Sequence, residues 1–226
     1  MRSIKNQIII TAILLSILIY FFGSSNADYL IQDKLYNFSE HKWLLEYNAQ
    51  PYRIIFYTGA KKALIIFAST ILIGSIIFFK SPLVQKYKRG IAVVIISAIL
   101  VPVTIGGLKK VTNMPCPKDE IRYGGTYPKT AVWEHYKDIN LSKKHIKCWP
   151  AGHASGGFAL LSLIFLFKSK RAKKLALLSA MLVGWSMGGY KMLIGDHFLS
   201  HTIITMLMAW LLILIVARVF KFKTIW

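Results

Sequence analysis

Six long, almost uncharged apolar runs, near residues 7–22, 63–79, 90–108, 152–167, 175–190 and 198–217, settle which solvent this chain folds in. Their lengths are close to the roughly 17 to 25 residues that a helix needs to cross the hydrocarbon of a bilayer. A soluble helix carries one apolar stripe, whereas IIITAILLSILIYFF, residues 8–22, is apolar on every face. A composition of 55% hydrophobic residues and a mean hydropathy of +0.49 agree with that reading. In lipid each backbone N–H and C=O must find its partner within the protein. The expected fold is therefore all-α, a polytopic membrane protein of six transmembrane helices. No internal repeat divides it, so residues 1–226 read as one domain.

Charge orients the bundle. Lys80, Lys86, Lys88 and Arg89 fall in one short loop, Lys168, Lys170, Arg171, Lys173 and Lys174 in another, and Arg218, Lys221 and Lys223 close the chain on the same side. Short basic loops stay cytoplasmic, which places the N-terminus inside. All nine acids, Asp28, Asp33, Glu40, Glu46, Asp119, Glu120, Glu134, Asp138 and Asp196, then fall outside. The formal charge of +20 is in large part topogenic, and the remainder sits beside anionic lipid, so it does not indicate a nucleic-acid partner. Ser25-Asn26-Ala27 also has the small-x-small pattern of a signal-peptide cleavage site, which would leave five spans ending on the same side.

Two long outer loops remain, 23–62 and 109–151. The first contains HKWLLEYNAQPYRIIFY, whose aromatic residues among charges suit a segment lying at the membrane interface, and an anchoring role is expected there. The second gathers Lys109, Lys110, the segment NMPCPKDE, the turn around Gly124 and Gly125, and KCWPAGHAS. Its Cys116 and Cys148 are the only cysteines, an even pair in an oxidising compartment, and a disulfide is expected between them.

Three histidines stand at helix mouths on this outer side. His153 follows Pro150-Ala151-Gly152 at a helix start, where free backbone N–H groups can cradle an anion. His197 and His201 are four residues apart and share one helix face. Ionisable groups at such positions in a membrane protein default to function. No HExxH or paired-cysteine spacing accompanies them, so neither a metal nor any other cofactor is expected. Lysines, helix N-termini and two imidazoles suit a phosphate site, in which one ring attacks phosphorus and another protonates the departing oxygen.

Between about 90 and 205 the chain resembles the type 2 phosphatidic acid phosphatase family, the lipid phosphate phosphatases, whose motifs read KxxxxxxRP, PSGH and SRxxxxxHxxxD. Here they align with Lys109-x6-Cys116-Pro117, Pro150-Ala151-Gly152-His153, and Tyr190-Lys191-x5-His197-x3-His201. Lys109, His153 and His197 match. Cys116 stands for the first arginine, Ala151 for serine, Tyr190 and Lys191 for Ser-Arg, and His201 for the aspartate. The resemblance implies that His197 is a nucleophile forming a phosphohistidine and that His153 protonates the leaving group. His201 would orient His197 in place of the aspartate, and Lys109, Lys191 and Gly152 would bind phosphate. Cys116 cannot hold phosphate, so Lys110, Lys118 or Arg122 must supply that charge, with Arg122, beside the flexible YGG turn, preferred. The expected function is a metal-independent bacterial inner-membrane phosphatase facing the periplasm or exterior. Its substrate would be a membrane lipid phosphate or pyrophosphate: undecaprenyl pyrophosphate, phosphatidylglycerol phosphate, phosphatidic acid or lipid A. A lipid phosphotransferase, or a non-catalytic lipid-binding or transport protein, are the alternatives. No obligate protein partner is implied.

Overall fold

The computed structural model describes residues 3–136 and 146–225; Asp138, one of the outer acids, lies outside the described residues. The protein is a helical, polytopic membrane protein. Its helices are α1 (Ile4–Ser24), α2 (Ala27–Gln32), α3 (Ala60–Ile77), α4 (Pro82–Leu108), α5 (Gly152–Ala159), α6 (Lys170–Leu193) and α7 (Leu199–Val219). A π-helical turn, Ile54–Gly59, leads into α3, and a 3-10 stretch, Leu160–Phe165, extends α5. Four segments, Ile4–Ser24, Ile54–Ile77, Pro82–Val111 and Leu199–Val219, are long and apolar enough to cross a membrane by themselves. The segment Gly152–Phe165 is shorter, and α6 opens on the basic run Lys170-Arg171-Ala172-Lys173-Lys174. The only sheet among the described residues is a two-residue hairpin pairing β1 (Tyr36–Asn37) with β2 (Lys42–Trp43).

Helix starts differ between the two ends of the bundle, and the difference positions the site. On the basic side, Ser3, Ser81 and Ser169 each cap their own helix, accepting from Asn6, Val84 and Ala172 N–H at 3.2, 3.3 and 3.1 Å. These caps satisfy one of the donors that a helix N-terminus leaves free. On the other side, α5 follows Ala151 and α7 follows Phe198, and neither residue has a side-chain cap to give. At α7 the deficit is met from a distance: Asp28 of α2 accepts from Ser200 N at 2.9 Å and Ser200 Oγ at 2.5 Å. Among the described residues, no side chain caps the first N–H groups of α5.

The core lies among α4, α5, α6 and α7, where Val93, Ile105, Phe158, Ile164, Ile213 and Leu214 are buried. Helices α5 and α6 meet backbone to backbone. A Cβ built on Gly157 would lie 2.6 Å from Gly184 Cα, so only glycine permits this approach. Helix α1 packs on α7, and Ile4 N–H donates to Lys223 O at 2.9 Å. Helix α3 is the least buried, with Ile66, Ile73 and Ile76 facing outward, as lipid contact requires. Above the bundle, Tyr36 and Trp43 of the hairpin join Tyr123 and Phe198 in an aromatic cluster.

Candidate active site

The turn between α6 and α7 carries Asp196 and His197 and leads into His201, and backbone bonds fix it. At the end of α6, Lys191 O accepts from the N–H groups of Asp196 and His197 at 2.8 and 3.2 Å. Met192 O accepts from Gly195 N and from Gln32 Nε2, and Leu193 O from Leu45 N, so three carbonyls with no helical partner are satisfied. Gly195 adopts φ +74°, and a Cβ there would stand 2.2 Å from the Trp43 ring. Both facts demand glycine, and they press the hairpin onto the residue two before His197.

His197 and His201 are both buried, with their Nδ1 atoms 3.2 Å apart. Two neutral rings share one proton between those atoms. If His197 Nδ1–H donates to His201, the His197 Nε2 lone pair is left free for attack. Burial of His197, with His201, Lys109, His153 and Lys191 adding positive potential, pushes its pKa well below the usual histidine value. The ring is therefore neutral at physiological pH.

The other motif residues converge on it. Lys109 caps the end of α4 and lies over the start of α5; a Cβ on Gly152 would be 3.6 Å from its Nζ. A side chain at 152 would crowd this lysine where it lies over the start of α5. His153 lies beside the same N-terminus, its ring 4.4 Å from that of Tyr57. Lys191 Nζ sits 4.2 Å above the Tyr57 ring and 5.4 Å from that of Tyr47. Asp196 bridges two lysines, accepting from Lys191 and Lys118 at 2.6 Å each. Burial would raise the Asp196 pKa, but the two ammonium groups hold it below the ordinary aspartate value. Ala151, where the resemblance has serine, turns its N–H to Thr205 Oγ1 at 2.8 Å and is fully buried.

Cys116 and Cys148 form a disulfide. It ties the end of the first motif to the second, and Lys118 N–H then donates to Gly195 O at 3.0 Å. Cys148 Sγ packs on the histidine turn, 3.0 Å from Asp196 O.

Two sequence expectations need correction. Arg122 is not at the site: its guanidinium makes a two-pronged pair with Asp33 at 2.9 and 2.5 Å and stacks over Tyr29. The turn ending at Gly124, φ +86°, carries it toward α2. Lys110 is exposed beyond the end of α4, while Lys118 reaches Asp196. The interfacial segment is also more than an anchor, because Tyr47 and Tyr57 form the aromatic floor under Lys191. Asp196 and Asp28 carried no motif signal. Their clues were adjacency to His197 and an acid directly after an apolar helix.

A cavity adjoins the site at His153 and Gly152. It has a volume of 380 Å³, lies between α3, α4 and α5, and is lined by Lys61, His153 and Gly152 at its polar end and by apolar residues such as Leu64, Phe67 and Val94 beyond.

The family profile of the PAP2 superfamily matches residues 90–225, more than half the length of the chain. The chain belongs to the PAP2 superfamily. PAP2 membership supports phosphatase-type activity on phosphate esters, and the matched region contains Lys109, His153, Lys191 and His197. Tyr47, Tyr57 and Asp28 lie before it. Comparison with curated proteins and with solved structures returns no match.

Proposed function

We propose that this PAP2 protein is a lipid phosphate phosphatase working through a phosphohistidine on His197, at the outer face of a bacterial cytoplasmic membrane. The observation that carries the reading is the shared wall of the cavity: His153 stands between the lysine cluster and a greasy cleft among α3, α4 and α5. A phosphate held by Lys109, Lys191 and the N–H groups of α5 leaves the rest of its molecule in that cleft, where only an apolar tail is at home. His197 Nε2 attacks phosphorus while His201 accepts the Nδ1 proton's hydrogen bond. His153 takes up a proton from solvent once the phosphate's negative charge is bound beside it, and gives that proton to the departing oxygen of the lipid. Water then cleaves the P–N bond, with His153 taking back a proton, and inorganic phosphate leaves. Lys109 and Lys191 stabilise the charge that builds on the phosphoryl oxygens. Neither cofactor nor metal enters this scheme.

Phosphate release by purified protein in detergent tests the reading, with phosphatidic acid, phosphatidylglycerol phosphate and polyprenyl pyrophosphate set against tail-less glycerol phosphate. Release is expected from at least one lipid and far more slowly from glycerol phosphate, with His153→Ala and His197→Ala each inactive but still membrane-inserted. Equal rates with and without a tail, or near-normal turnover by His197→Ala, would overturn it.

A further inference from the structure

The two histidines of the α6–α7 turn face a third potential ligand that the phosphatase chemistry does not use. Cys148 Sγ lies 3.6 Å from His197 Nδ1 and 3.9 Å from His201 Nδ1, and the two nitrogens are 3.2 Å apart. A tetrahedral zinc ion bound to nitrogen at about 2.05 Å and sulfur at about 2.3 Å has N–N edges of roughly 3.3 Å and N–S edges of roughly 3.6 Å. The triangle in the protein therefore matches a face of that tetrahedron to within a few tenths of an ångström. All three residues are buried, Cys148 at the α5 entry, His197 in the α6–α7 turn and His201 in the first turn of α7.

We propose that reduction of the Cys116–Cys148 disulfide turns this triangle into an inhibitory site for zinc or a similar soft divalent cation. While the bond is intact, Cys148 has no thiolate to offer, and the disulfide keeps the site closed. Two equivalents of an external thiol supply two electrons and two protons, giving two cysteine thiols and one external disulfide. The metal then displaces the Cys148 proton and binds Sγ, His197 Nδ1 and His201 Nδ1, with water in the fourth position. The functional consequence follows from imidazole chemistry. A neutral ring ligated through Nδ1 carries its proton on Nε2, so the nitrogen that would attack phosphorus loses its lone pair. The disulfide thus protects the nucleophile from metal as well as bracing the loop.

Cobalt(II) is the probe, because a thiolate ligand gives a sulfur-to-cobalt absorption band in the near ultraviolet whether or not the protein is an active phosphatase. Full-length protein in detergent is examined oxidised, reduced with a phosphine and desalted anaerobically, and as Cys116→Ser without reductant. The reduced protein and Cys116→Ser are expected to bind one equivalent with the thiolate band, bleached by zinc. The oxidised protein and reduced Cys148→Ser are expected to show none. In reduced protein, one equivalent of zinc should lower phosphate release by about 100-fold or more, the scale of losing a proton-transfer partner, and a chelator should restore it. Absence of the band from both reduced protein and Cys116→Ser, its persistence in Cys148→Ser, or its appearance in oxidised protein would each overturn the proposal. If the band appears but no preparation releases phosphate, the metal site stands and the phosphatase reading fails.

Discussion

Replacing His201 isolates the oldest question about this site, which is how a histidine serves where an anion would be expected. His201 is fully buried and its Nδ1 is 3.2 Å from His197 Nδ1. In the resting site this bond joins two neutral rings and is worth about 1 kcal/mol net. When His197 attacks phosphorus its ring becomes cationic, and a bond from a charged donor is roughly twice as strong. His201→Ala removes that gain and leaves a buried N–H without an acceptor, so the barrier should rise by about 1 to 2 kcal/mol, or roughly 5- to 30-fold in rate. His201→Asp restores an acceptor and adds a negative charge beside the developing imidazolium, so its turnover should equal or exceed that of the unmodified protein. The assay is steady-state phosphate release at saturating lipid phosphate, with a thermal unfolding curve for each variant to separate lost chemistry from lost packing. A His201→Ala protein that folds and turns over within about twofold of normal would refute the orienting role.

Other predictions follow from the same geometry. Arg122→Gln should change phosphate release by less than about twofold, since an exposed pair with Asp33 is worth at most about 1 kcal/mol, whereas Lys109→Gln should lower it severely; the reverse ranking would restore Arg122 to the site. Burial raises the pKa of Asp28 to about 6, with Ser200 and Lys129 opposing that rise. The fold therefore binds a proton that the unfolded chain releases between about pH 4 and 6, and this carboxyl makes the protein less stable as pH rises through that window. Asp28→Asn should flatten that part of the profile of unfolding temperature against pH, and an unchanged slope would contradict it. Cutting the Cys116–Cys148 bond, whose partners are 32 residues apart, should cost roughly 3 to 4 kcal/mol on chain-entropy grounds. An unfolding temperature unchanged in a Cys116→Ser, Cys148→Ser double variant would show that the loop is held by its other contacts.

What the sequence revealed and what it concealed divide along physical lines. Four of the six expected spans were legible because lipid demands one length and one polarity of a helix that crosses it, while Gly152–Phe165 is shorter and α6 opens on a basic run. Lys109, His153, Lys191 and His197 were legible because their spacings place them at helix ends, where direction is fixed by the helix itself. The cysteines were legible because they are the only two in the chain and share one loop, so a bond has one possible pairing. Arg122 was misassigned because nearness along a loop says nothing about which way the loop turns, and the left-handed residue at Gly124 decides that. Tyr57 was hidden for a different reason. An aromatic residue in an interfacial segment looks the same from sequence whether its ring lies in headgroups or over Lys191. Asp28 illustrates the third case, since a carboxyl that caps a helix 172 residues away leaves no local trace.

The pairing of α1 with α7 has a consequence for how the protein is made. Helix α1 is made long before α7, the helix it packs against, and Ile4 is bonded to Lys223 beyond it. Early in biogenesis α1 must therefore stand in lipid without its partner, which its almost uniformly apolar surface permits. Docking can begin only when α7 has been inserted, and that helix brings His201 with it. Assembly is thus a circle closed when α7 arrives, in which long-range contact is the slow event. A chain stopped before α7 has α1, α3 and α4 but no histidine pair, so the candidate site comes into being only once α7 has been made.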